Sequence, residues 1–106
     1  MKTIDNSTIE YLLNQAIDTW GTAAQIDMAI EECGELITAL VQWRRGRKEM
    51  ADVAEEIADV SIMMRQLRLI FGYQAVNKIE AEKVVRLKDR LKKAIAADII
   101  LDDLAK

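Results

Sequence analysis

Histidine and proline are both missing from this chain of 106 residues, which has one cysteine, four glycines and five aromatic side chains. Without histidine it lacks the commonest general base, the usual zinc ligands and the Glu-x-x-His sites of di-iron bundles. Without proline, nothing interrupts a long helix. A lone cysteine, Cys33, excludes an intrachain disulfide and fits a reducing compartment. No apolar run approaches the ~18 residues of a membrane span, and the opening MKTIDNSTIEYLL has no signal-peptide core. We therefore expect no membrane association and a cytoplasmic location. The net charge of -3 argues against nucleic acid as the partner, since such surfaces are usually basic.

What the chain has is apolar residues, 51% of the total, set at helical spacing. Ser7-Thr8-Ile9-Glu10 reads as a capping box opening a helix that ends near Trp20-Gly21. Thr22-Ala23-Ala24-Gln25 reads as a second box, with periodicity to about Arg45, just before Gly46. A third helix is expected from near Met50 to Phe71-Gly72, with Asp52 and Glu55 as a further capping pair. The fourth starts at Tyr73 or Gln74 and reaches at least Ala94. Its tail from about residue 95 to 106, AIAADIILDDLAK with its lead-in, reads as a helical extension or a frayed end. No segment alternates strictly and β-turn dipeptides are missing. The expected fold is a single all-α domain over residues 1–106, a four-helix chain. Helices 2 to 4 are apolar over arcs too wide for one small chain to bury, which points to a helical-bundle dimer or tetramer.

Two acidic pairs break the pattern. On a wheel of about 100° per residue, Val53, Ile57, Val60, Met63, Met64 and Leu67 gather on one side of the third helix. Glu56 falls inside that arc and Asp59 at its edge beside Ile70, whereas Glu55 points further out. In the second helix, Ile26, Ile30, Cys33, Ile37 and Leu40 form the apolar centre. Glu31 lies in the polar arc, but Glu32 is flanked by Met28, Leu36, Ala39 and Trp43, and Glu35 borders the same side. Each helix thus projects an i, i+3 acidic pair, Glu32/Glu35 and Glu56/Asp59, from a largely apolar flank.

Acidic pairs arise easily as solvated surface in a chain with 18 acidic residues. Glu56 resists that explanation, because a carboxylate among valines and methionines is costly unless something offsets its charge. The positive residues of these two helices sit away from the arcs. Hard divalent cations suit carboxylate oxygens, which makes magnesium, or manganese in its stead, the expected cofactor.

These residues resemble a known family. EECGEL followed some twenty residues later by EEIADV is similar to the EExxE…ExxD signature of the MazG-like all-α nucleoside triphosphate pyrophosphohydrolases, in their short single-domain branch. The likeness runs from about Trp20 through EKVVRLKDRL at 82–91. It implies a helical dimer or tetramer of dimers, and magnesium held by Glu32, Glu35, Glu56 and Asp59. It also implies hydrolysis of a nucleoside triphosphate between the α and β phosphates, giving monophosphate and pyrophosphate.

In the family, basic residues of the fourth helix meet the substrate phosphates, and Lys83 and Arg86 match them best, with Arg90 on the same stripe. The other reading is a solvated face that also carries Lys78, Lys88, Lys92 and Lys93. Some relatives read the nucleotide with an asparagine here, which KVVRLKDR lacks. Trp43, on the Glu32 flank, is the aromatic expected to stack on a base, as aromatics do in some relatives, while Trp20 reads as a packing or interface residue. RRGRK at 44–48 is either an attractor for polyphosphate or a solvated turn around Gly46. Against the enzyme stands a second class of function, a helical dimerisation module whose acidic groove binds a basic partner.

Overall fold

The computed structural model describes residues 3–104, with side chains to residue 96. Four α-helices follow one another: α1 (Asn6–Trp20), α2 (Thr22–Arg44), α3 (Met50–Phe71) and α4 (Tyr73–Leu104). No strand occurs among the described residues. The helices form two compact units, one of α1 to α3 ending at Gly72 and the other the single helix α4. The last helix runs on through the apolar tail as far as Leu104; Ala105 and Lys106 lie outside the described residues.

Helix ends follow local chemistry, though not always the expected residues. Asp5, not Ser7, caps α1: its Oδ1 accepts the Thr8 N–H at 2.7 Å, which holds the Asp5 carboxyl below its usual range. The second expected box does not form. Gly21 alone joins α1 to α2, at φ 90° and ψ 150°. Its N–H donates to the Ile17 carbonyl at 2.8 Å, closing α1, and its carbonyl accepts the Gln25 N–H at 3.1 Å, opening α2. α2 ends in a Schellman turn, with Gly46 at φ 72° and the N–H groups of Arg47 and Gly46 donating to the Gln42 and Trp43 carbonyls. α3 opens one residue after Glu49, whose N–H donates to Asp52 Oδ2 at 2.9 Å. The capping pair is therefore Glu49 with Asp52 rather than Asp52 with Glu55.

In the α1–α3 unit the main packing is α2 against α3, with α1 laid across both through Leu13. The five-residue link between α2 and α3 makes them antiparallel neighbours. Shielded positions on α2 include 25, 29, 32, 36 and 39, flanked by 26, 33 and 42, and those on α3 include 53, 56, 60, 63 and 67, flanked by 52, 66 and 68–70. Alternating steps of three and four are the seam of a coiled-coil-like pair. Ala29 and Ala39 are the buried apolar residues of α2 and Met63 that of α3.

This seam departs from the expected apolar centre of α2. Ile30 and Ile37 remain 66% and 63% exposed, because α3 meets the edge of the wide arc that carries Ala29, Glu32 and Leu36. The opposite edge stays open in the single chain. On α3 likewise, Met63 is buried while Ile57 and Met64 are exposed.

A Cβ at Gly21 would meet no neighbouring atom, so the cost of filling it is conformational alone. Its dihedrals lie in the region that glycine nearly monopolises, and Gly21→Ala should lower unfolding free energy by about 1–3 kcal/mol in denaturant titration.

Candidate functional site

Helical spacing sets Glu32 and Glu35 one turn apart on α2, and the seam brings α3 alongside. Carboxylate oxygens of Glu32, Glu35 and Glu56 lie within 4.8 Å of one another. Glu32 and Glu56 are half-buried and Glu35 is exposed. Asp59, also exposed, stands outside this tight group, yet its charge acts on both Glu32 and Glu56.

The decisive detail is atomic. Oε2 of Glu32 and Oε2 of Glu56 are shut off from solvent and have no hydrogen-bond partner. Burial is the largest influence raising the Glu32 carboxyl above its ordinary range, followed by the charges of Glu35 and Asp59. Glu56 is raised for the same reasons in the same order, with Glu55 adding to them. A carboxylate shielded on one oxygen and facing further carboxylates is relieved by a proton or by a cation. Three converging oxygen donors without nitrogen or sulfur are the set that hard divalent ions take.

A groove of ≈ 540 Å³ opens beside this group, lined among others by Glu31, Glu35, Asp52, Glu55, Glu56 and Lys48. Lys48 comes from the basic turn after α2, so one of the RRGRK side chains does reach the acidic groove. Trp43 is not there. It is 45% exposed and lines a separate apolar cleft with Leu40, Met50, Val53, Ala54 and Ile57. Lys83, Arg86 and Arg90 are exposed side chains of α4, on the unit apart from this one.

Two residues that sequence reasoning left aside belong to the same seam. Gln25 and Gln66 are 6% and 4% exposed, and Oε1 of Gln66 has no hydrogen-bond partner. The 25-29-32-36-39 register contains Gln25 and was the signal available for it. Trp20, expected as a packing or interface residue, is 66% exposed in the single chain and stands on the rim of a cleft with both glutamines.

No protein-family model matches the chain, no curated protein matches it, and no solved structure matches it.

The raised carboxyls set a pH dependence. Folding tightens proton binding at Glu32 and Glu56, so the native state holds more protons than the unfolded chain from the ordinary value of 4.5 up to the raised ones. Stability must fall as pH rises through that interval. Asp5 acts the other way, but only below its ordinary 3.8. In chelator, the melting temperature should therefore drop between pH 4.5 and neutrality, and Glu56→Gln should flatten that slope and melt higher at neutral pH. An unchanged slope in the variant would show that folding does not raise the Glu56 carboxyl.

Proposed function

We propose that the chain is a magnesium-dependent nucleoside triphosphate pyrophosphohydrolase of the MazG-like kind, cutting between the α and β phosphates. The observation that carries this reading is the pair of orphaned, shielded carboxylate oxygens, on Glu32 of α2 and Glu56 of α3, gathered with Glu35 of α2. The order EExxE…ExxD along the chain supports it further. These residues fit a divalent cation in donor type and in excess negative charge.

Phosphoryl hydrolysis asks for charge neutralisation and a positioned water more than for a reactive side chain, so a chain without histidine can perform it. When bound, magnesium or manganese supplies positive charge against the phosphates and makes water more acidic. Glu32, Glu35 and Glu56 would hold the ion. Asp59 would complete the negative field and its ligand set, and the carboxylates would accept the proton of the attacking water. Lys83 and Arg86, one turn apart on α4, would meet the phosphates. Trp43 lines another cleft, which weakens its assignment to the base.

The reading includes a homodimer or homotetramer. Among the described residues, Leu13, Ala29, Ala39 and Met63 are the buried apolar ones, against exposed Ile30, Ile37, Ile57 and Ile62. A second copy would cover that surface. The reading also includes a cytoplasmic location, which a nucleotide substrate and a single unpaired cysteine would suit.

Two measurements test the proposal. Millimolar magnesium or manganese should raise the melting temperature of the wild type at neutral pH, because binding to the native state alone stabilises it. The shift should shrink in Glu56→Gln. The same variant should lose pyrophosphate release from nucleoside triphosphates while keeping its helical circular dichroism. Absence of a shift with either ion, or turnover that survives the substitution, would defeat the enzyme and leave the interaction module.

A further inference from the structure

Along the seam from the carboxylates lies a second feature of different character. Trp20, Ala24, Gln25, Met28, Met63 and Gln66 line a cleft of ≈ 530 Å³, within the range of small-molecule sites. Its walls are apolar and polarisable, and its polar groups are two neutral amides. Both amides are more than nine-tenths buried, and Gln66 Oε1 lacks a donor. A buried acceptor without a partner is unfavourable and rare in folded chains, so something is expected to complete it. One water would fill only a small part of this volume.

We propose that this cleft takes the nucleobase of the substrate, read by the amides of Gln25 and Gln66 and stacked against Trp20 and the two methionines. The inference rests on the function proposed above and names the part of the site that reads the nucleotide. Three considerations favour a base over other occupants. A primary amide offers one donor and one acceptor side by side, the pattern on the edge of a base. Neutral walls suit an uncharged ring, and a tryptophan rim with thioether sides suits a planar, polarisable one. Position is the third. Gln25 precedes Glu32 by seven residues and Gln66 follows Asp59 by seven, so on each helix the amide lies roughly 10 Å along the axis from the nearer acid and on its face, with Glu35 and Glu56 about one turn further on. That is about the span of a sugar with its base. In the antiparallel pair both displacements run the same way along the seam.

The assignment moves base recognition from Trp43 to Trp20. It also makes Gln66 and Gln25 specificity residues rather than members of the metal centre.

The test is binding of nucleosides, which carry no phosphate, to the full chain in chelator. Ribo- and deoxyribonucleosides of the four bases are titrated to millimolar levels, following the Trp20 indole N–H and the Gln25 and Gln66 side-chain amide resonances. At least one nucleoside should shift all three saturably, and ribose 5-phosphate should shift none. Gln66→Leu removes the orphaned acceptor without adding a new one, and so should fold; it should weaken that nucleoside about ten-fold or more. With the corresponding triphosphate, the loss should fall on KM rather than on kcat, and the preference among bases should narrow.

Wild-type chain in which no nucleoside moves these resonances overturns the proposal, as does Gln66→Leu with unaltered affinity and preference. So does a cleft filled by a second copy, seen as Gln66→Leu changing the sedimenting mass with no nucleoside bound. The two readings fail separately. Nucleoside binding without pyrophosphate release from any triphosphate upholds the cleft and removes the hydrolase. Release that ignores the base and Gln66→Leu alike upholds the hydrolase and removes the cleft.

Discussion

The seam between α2 and α3 shields carboxylate oxygens at positions where a helix pair would ordinarily place leucine. Glu32 sits between Ala29 and Leu36 in the repeating register, and Glu56 between Val53 and Val60. One oxygen of each is shielded from solvent and has no hydrogen-bond partner. The folded chain therefore carries a standing electrostatic cost whose relief must come from outside the side-chain inventory, as a proton or a cation. Helical backbone on both sides holds the acids in place, and a capped turn joins them. A site on two rigid helices is positioned before anything binds, which favours discrimination between ions and between phosphate geometries.

That cost bears on a thin core. None of the described side chains is shielded to below 2% exposure, and two of the four buried apolar residues are alanines. Small residues let the helices approach closely enough for carboxylates from both to converge, but they bury little apolar area themselves. Stability of a domain this size is a small difference between large terms. Neutralising the acids and covering Ile30 and Ile37 both act on the same helix pair. On the proposed reading, cation binding and assembly would reinforce each other, since each lowers what the other must overcome.

Much of this was legible in the residues. Absence of proline and spacing of apolar residues marked four helices, and the glycines at 21, 46 and 72 marked their ends, each at positive φ. The inward turn of Glu56 was readable on a wheel because its neighbours Val53, Val60 and Met63 leave no polar sector for it. Caps were less legible. Ser7 and Thr22 have the right chemistry, but Asp5 and Gly21 hold the extended and positive-φ backbone that a helix start needs here.

The orientation of α2 was not legible at all. An arc that wide allows several faces to meet a neighbour, and a wheel carries no information about where the neighbour stands. For the same reason Gln25 passed as part of a cap and Gln66 as one polar residue among many, although both are buried. Their role depends on one helix seen against another. A carboxylate announces itself by violating its own helix's pattern, whereas a buried glutamine does so only once the partner helix is in place.

Register then binds the two halves of the seam together. Gln25 and Glu32 share a face because seven residues make nearly two whole turns, and Gln66 and Asp59 do so for the same reason. A single inserted residue between the members of either pair would rotate one past the other by about 100°, carrying the amide out of the cleft or the acid away from the acidic group. The charged end and the neutral end therefore cannot vary independently in spacing, whatever their side chains become. On the proposed reading, change confined to the side chains of the cleft would alter which ring is read while the acids one step along stay in place. A helix pair with an acidic centre and a neutral cleft in one register would, on that same reading, keep a reaction constant while its choice of nucleotide changes.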